Sequence, residues 1–98
     1  MLVALERFDL RIPGCSSLKE KRHVVKTLTN GLRSTFNVAV AEVDHHDLWQ
    51  RTTIAVSAVA AEGYHVKRVM HEVERFVDRW AEVEVIDAEL SLHDPEDE

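Results

Sequence analysis

The sequence is poor in residues that staple, break or specialise a chain. It holds one cysteine (Cys15), two prolines and three glycines among 98 residues. A lone cysteine excludes an intrachain disulfide framework and an all-cysteine metal site. Three scattered glycines cannot build a phosphate-cradling loop. No apolar run approaches the roughly 18 residues of a membrane-spanning helix. The start, MLVALERFDL, lacks the basic segment and small-residue cleavage site of a signal peptide. A cytoplasmic location is therefore expected, with no membrane partner. Asn and Gln total three, and Arg outnumbers Lys eight to four, a balance that fits a thermophile or a GC-rich genome.

What is present suits one small domain. A chain this short buries about two-thirds of its unfolded surface. That supports one modest core, without a large cofactor cavity, and no cofactor is expected. The charge is polarised. Residues 1–38 hold seven bases and three acids; residues 39–98 hold five bases and fifteen acids, giving −6 overall. An evenly acidic protein repels nucleic acid, but a polarised one can present a basic face. Residues 93–98 are acidic with nothing apolar to bury, and read as a tail after a domain at 1–92.

Periodicity sets the elements. Residues 2–12 alternate as a strand, with Phe8, Leu10 and Ile12 on one face and Arg7, Asp9 and Arg11 on the other. Glu6 interrupts the apolar face, which places it near a strand end or a bulge. After Pro13-Gly14, the run Ser17-Leu18-Lys19-Glu20 matches a capping box. A helix to about Thr35 follows, with Leu18, Val25, Leu28 and Leu32 at helical spacing. Phe36 to Val43 reads as a strand, residues 44–50 as a polar loop, and Thr52 to Ala60 as a strand. From Tyr64 to Ala81, Val66, Val69, Met70, Val73, Phe76, Val77 and Trp80 recur at spacings of three and four. Val83 to Leu92 closes the chain as a strand, with Ile86, Ala88, Leu90 and Leu92 on one face.

The order β-α-β-β-α-β, with right-handed crossovers, predicts an α+β ferredoxin-like sandwich. Its four-stranded antiparallel sheet has both helices on one side. Strands one and four pair, which sets Arg7, Asp9 and Arg11 beside Val85, Asp87, Glu89 and Ser91 on the uncovered face.

Five groups of residues are chemical candidates. Lys19, Arg22, Lys26 and Arg33 share a face of the first helix, with Lys21 and His23 alongside. Such a stripe suits phosphates, because neutralising them releases counterions; the plain alternative is a solvated helix face. Asp44, His45, His46 and Asp47 are metal-ligand types. Adjacent strand residues point oppositely, however, so a polar loop is the simpler reading. Trp49, Gln50 and Arg51 can stack and bond as a recognition patch, or can anchor the loop with Arg51 paired to an acid. Cys15 near a helix start, and Glu42 with Asp44, are the only hints of catalysis, and no nucleophile comes with a readable base and orienting acid. The chain is therefore not expected to be an enzyme. Finally, the third strand has no aromatic residue, which argues against base stacking on the sheet.

The segments Ile12-Pro13-Gly14, Ser17-Leu18-Lys19-Glu20-Lys21-Arg22, Phe36-Asn37-Val38, Ala41-Glu42-Val43-Asp44 and Asp47-Leu48-Trp49-Gln50-Arg51 together resemble the YlxP-like family. These are small bacterial proteins of unknown function. The resemblance covers nearly the whole chain and implies a ferredoxin-like domain. Genes of that family commonly lie beside those for translation initiation and ribosome-maturation factors, so it points toward the ribosome. No catalytic residue carries over. The chain departs at His46, where glutamine is common, and at Glu6, where an apolar residue is usual.

The expectation that follows is an accessory domain contacting structured RNA or a ribonucleoprotein, ribosomal RNA included. Lys19, Lys21, Arg22, Lys26 and Arg33 would hold phosphates, and Trp49 with Arg51 would add a lateral contact. The alternative is a homodimeric or protein-interaction scaffold using the uncovered sheet face, where Ala55 and Val59 lie, or the 44–51 loop.

Overall fold

A computed structural model describes residues 1–96. The elements run β1 (Leu2–Arg11), α1 (Leu18–Thr35), β2 (Ala39–Asp44), β3 (Arg51–Ala60), α2 (Gly63–Asp78) and β4 (Glu84–His93). The sheet is fully antiparallel, in the order β2-β3-β1-β4. This is the ferredoxin-like arrangement predicted from the element order. The last strand runs to His93, which pairs with Val3, so that residue belongs to the sheet. Residues 97 and 98 of the expected tail lie outside the described residues.

Local chemistry sets the boundaries. At Gly14 the backbone takes φ 74°, and this turn ends β1. Ser17 caps α1, its hydroxyl accepting the Glu20 amide at 3.1 Å. Glu20 reaches one residue further back than a capping box requires, accepting the Ser16 amide at 2.8 Å. Those Ser16 bonds hold its carboxyl below the ordinary range. Phe36 does not open β2 as expected. Its amide donates to Leu32 O at 2.9 Å and closes the helix instead. Likewise α2 stops at Asp78, three residues short of the expected end.

The core lies between the helices and the inner sheet face. Phe8, Leu10, Ile54 and Val56 from the sheet meet Leu28 and Leu32 of α1 and Val66, Met70, Val73 and Val77 of α2. The helices meet at Gly31, where a Cβ would sit 3.1 Å from Phe76 and 3.3 Å from Trp80. The missing side chain gives the two rings their place. Phe76 stands edge-on to Phe36 at 5.7 Å and stacks on Trp80 at 5.5 Å.

One expectation about faces holds and another needs correction. The residues Ile86, Leu90 and Leu92 do share the helix-side face, but they are 44%, 41% and 37% exposed. Helix α2 lies mainly over β1 and β3 and α1 over β2, so β4 is only lightly covered by α2. Val85 was expected on the outer face. A bulge at Asp9/Leu10 sets it opposite Leu10, on the inner face.

Glu6 is the other correction. It sits mid-strand, opposite Val56 and Leu90, and is fully buried. Neither carboxyl oxygen has a hydrogen-bond partner in place. Burial first, and then Glu74 and Asp78 of α2, push its pKa from 4.5 up to about 9. At neutral pH the group is therefore an uncharged acid, which a core tolerates.

This has a pH consequence. The folded state holds the Glu6 proton more tightly than the unfolded chain does. Its contribution is undiminished below about pH 4.5 and is lost as pH rises toward 9. Glu6→Gln keeps the shape without the proton. Relative to the parent it should gain stability as pH rises from 4 to 8, by up to about 4–5 kcal/mol. Urea melts of both proteins at the two pH values check this, and a pH-independent difference would contradict it.

Candidate functional site

The seven candidate residues fall into three places. Arg22, Lys26 and Arg33 line a cleft of about 530 Å³ beside β2, together with Thr29, Asn30 and His46. Lys19 instead borders a separate cleft of about 510 Å³, near Cys15, His23 and Glu82. Trp49 is half exposed on the β2–β3 loop, and Arg51 belongs to the outer sheet face.

Lys21 does not lie on the solvent face. It is 1% exposed, and its ammonium sits 3.1 Å from Glu42. It also donates to the backbone carbonyl of His45. Glu42 takes a further bond from the Thr52 hydroxyl at 2.5 Å. The buried cation is thus engaged by Glu42 and the His45 carbonyl inside the protein and floors the cleft. The spacing held a sign of this: Leu18, Lys21, Val25, Leu28 and Leu32 step by three and four along one stripe.

Arg33 is partly engaged as well. Its Nη2 donates to Val40 O at 2.7 Å and its Nη1 to Asn30 Oδ1 at 3.3 Å. The first bond ties the end of α1 to β2 while leaving the side chain exposed. Arg22 and Lys26 are exposed and make no ion pair among the described residues.

The loop above the cleft is held by polar bonds. Asp44 Oδ1 accepts the His45 amide at 2.7 Å, and His45 takes φ 63°. The Leu48 amide returns to His45 O at 3.2 Å. Ring Nδ1 of His45 lies 3.0 Å from the Thr53 hydroxyl, which donates to Asp9 at 2.8 Å. Arg51 adds an ion pair to Asp9 at 3.4 Å. The Thr53 hydroxyl above all, and Arg51 with His45 after it, hold the Asp9 carboxyl below its ordinary range. Arg51 is therefore a bracing residue, matching the acid-paired reading of the Trp49-Gln50-Arg51 run.

His45 thus faces the outer layer, while His46 lies on the inner side, 3.9 Å from Glu42. Among the described residues, no three His, Cys, Asp or Glu side chains converge as metal ligands. Among those residues no helix is long and apolar enough to cross a membrane. His46, read from the sequence as a metal-ligand type, turns out to be a cleft residue beside the α1 face of Arg22, Lys26, Asn30 and Arg33. His46 reaches it because the loop folds back toward α1, whereas Asn30 stands on α1 itself.

Comparison with known proteins places the chain. The sequence model of a protein family of unknown function, DUF503, matches residues 3–90. The chain belongs to this family. Within reach of the DUF503 family is the uncharacterized protein YlxP of Bacillus subtilis (strain 168). It is 35% identical over 83 residues, covering 85% of this chain and 90% of YlxP. The YlxP-like resemblance read from the motifs is thereby established.

Among solved structures, the fold is similar to the de novo designed protein Foldit4, with a TM-score of 0.53 and 11% identity. That match covers 96% of this chain and 98% of the other. It is also similar to a mutant of SnoaB, a cofactor-independent oxygenase from Streptomyces nogalater. There the TM-score is 0.50 and the identity 9%, covering 95% of this chain and 91% of that one. At such identities the likeness is one of fold.

The buried pair yields a stability prediction. Lys21→Met should cost about 2–4 kcal/mol, because Glu42 keeps its charge in a half-closed site without a counter-ion. The double variant Lys21→Met/Glu42→Leu should recover most of that loss. Chemical denaturation of the three proteins checks it, and equal losses in single and double variants would contradict it.

Proposed function

We propose that this DUF503 protein is an accessory domain that contacts structured RNA or a ribonucleoprotein through the α1 cleft. The observation behind the reading is the grouping of Arg22, Lys26 and Arg33 around one open cleft, in a chain whose net charge is −6. The acid deepest in that cleft, Glu42, is neutralised by Lys21. Asp47 on the loop is the remaining carboxylate of the lining. Field lines from the three cations therefore leave the cleft largely uncancelled. Phosphate oxygens are suitable ligands, and the guanidinium fork on Arg22, unpaired among the described residues, suits them geometrically, while Arg33 adds charge. Recognition would be of backbone and shape, with little base readout.

A scaffold role through the outer sheet face is a second reading. It is favoured by Val59 and Leu5, which are 64% and 42% exposed on that face.

The test is RNA crosslinking and sequencing in the host, with Arg22→Glu/Lys26→Glu beside the parent. Both residues are exposed, so the variant should fold. Lys21→Glu is unsuitable, since it would bury a second carboxylate against Glu42. Enrichment of a defined RNA, lost in the variant, is the expected outcome. With that RNA in vitro, three phosphate contacts should give a slope of log affinity against log salt of about −2 to −3. Equal RNA recovery by parent and variant would remove the cleft from the site.

A further inference from the structure

The far edge of the sheet presents a different surface. Strand β4 pairs with β1 on one side, and among the described residues no strand pairs with its other side. Open edges invite pairing, and proteins usually blunt them with lysine or other charges, proline, a bulge or a cover; the β4 bulge lies before Asp87, outside 87–93. Residues 84–93 hold neither lysine nor proline. On the helix side, Ile86, Leu90 and Leu92 form a half-exposed apolar row along this edge. Outer-face positions alternate with them as Asp87, Glu89, Ser91 and His93.

The charges along β4 discriminate between possible occupants. A second copy would add antiparallel, about a two-fold axis normal to the sheet. Opposite residues then share a face, so the axis must pass through one residue and its own copy. Centred on Asp87 or Glu89, a carboxylate meets itself. Centred on Ala88, Asp87 meets Glu89 twice. Centred on Leu90, Asp87 meets His93, Glu89 meets Ser91, Leu90 meets Leu90, and Ala88 meets Leu92. Moving one step further, to Ser91, puts Asp87 opposite Pro95, beyond the strand. Leu90 is the centre that gives the longest ladder without opposed acids. A carboxylate facing an imidazole can share a hydrogen bond with it, and paired leucines favour such a seam.

We propose that β4 is the seam of a two-fold dimer, in which two copies join antiparallel about Leu90 into one continuous eight-stranded sheet. The axis keeps all four helices on one side. It extends the apolar row across the seam, under the gap left between the two α2 helices. The α1 cleft lies beside β2, at the opposite sheet edge, and stays open in both copies. The dimer is therefore independent of the RNA reading and also distinct from packing through the outer face.

Sedimentation equilibrium on the full chain tests it, with Leu90→Lys and Val59→Lys as variants and circular dichroism as the check on folding. The parent and Val59→Lys should be dimers, and Leu90→Lys a monomer. A second measurement does not rely on disruption. Opposed residues in an antiparallel pair lie about 4.5–5.5 Å apart at Cα. That range suits a disulfide. Mild oxidation of Leu90→Cys should yield a crosslinked dimer, and Val59→Cys should yield none. Cys15, 5% exposed, stays out of the reaction, and the parent chain controls for it. A parent that stays monomeric at millimolar concentration would overturn the proposal. So would a dimer that survives Leu90→Lys, or one that crosslinks through Val59→Cys instead.

Discussion

The ammonium of Lys21 reaches across from α1 to Glu42 on β2 and to the carbonyl of His45 at the loop. Helix, edge strand and loop are joined at that point. A buried cation tolerates no vacancy around it, because an unmatched charge in a dry site is costly. The demand propagates outward. To offer its carbonyl inward, His45 takes a positive φ, which Asp44 supports from its side chain. The His45 ring then lies on the opposite side of the sheet, within reach of Thr53 and so of Asp9 and Arg51. One inner ion pair and one outer polar cluster are thus coupled through a single residue. The neighbouring threonines divide the work, with Thr52 serving the inner carboxylate and Thr53 the outer one. The placement of Arg22, Lys26 and His46 around one cleft depends on this arrangement.

Most of the fold was legible because periodicity reports which face is apolar. The α2 stripe from Val66 to Val77 is buried as its spacing demands. The misreadings concern charged residues standing on an apolar stripe. Glu6 follows Leu2 and Ala4 at strand spacing and precedes Phe8, and Lys21 falls between Leu18 and Val25 at helical spacing. Residue type suggested solvent and phase suggested the core, and phase prevailed in both. The reason differs between them. Lys21 finds a counter-charge supplied by β2, a contact no local window contains. Glu6 finds none and keeps its proton instead. The period of the β4 stripe was read correctly, but whether a helix covers it depends on where two helices settle over four strands.

The candidate site was less legible than the fold. Seven residues between positions 19 and 51 scatter to a cleft, a second cleft, the β2–β3 loop and the outer face. A helix turns its side chains through a full circle within four residues. Lys19, Lys21 and Arg22 therefore share a segment without sharing a surface. Membership in the DUF503 family agrees with the motif reading but brings no assigned chemistry, so the cleft rests on its own charges and shape.

The strand order also bears on the route by which the chain folds. Strand β1 comes before its partners in chain order, and both of them, β3 and β4, come from the second half of residues 1–98. The hairpin of β2 and β3 closes over a short loop, whereas each contact of β1 must close a loop of forty residues or more. Such closures pay their entropy before any contact rewards them, which slows folding. Until both partners arrive, the apolar face of β1 has no sheet around it. In that interval the flanking charges Arg7, Asp9 and Arg11 keep an unpaired strand hydrated, as gatekeepers against wrong associations.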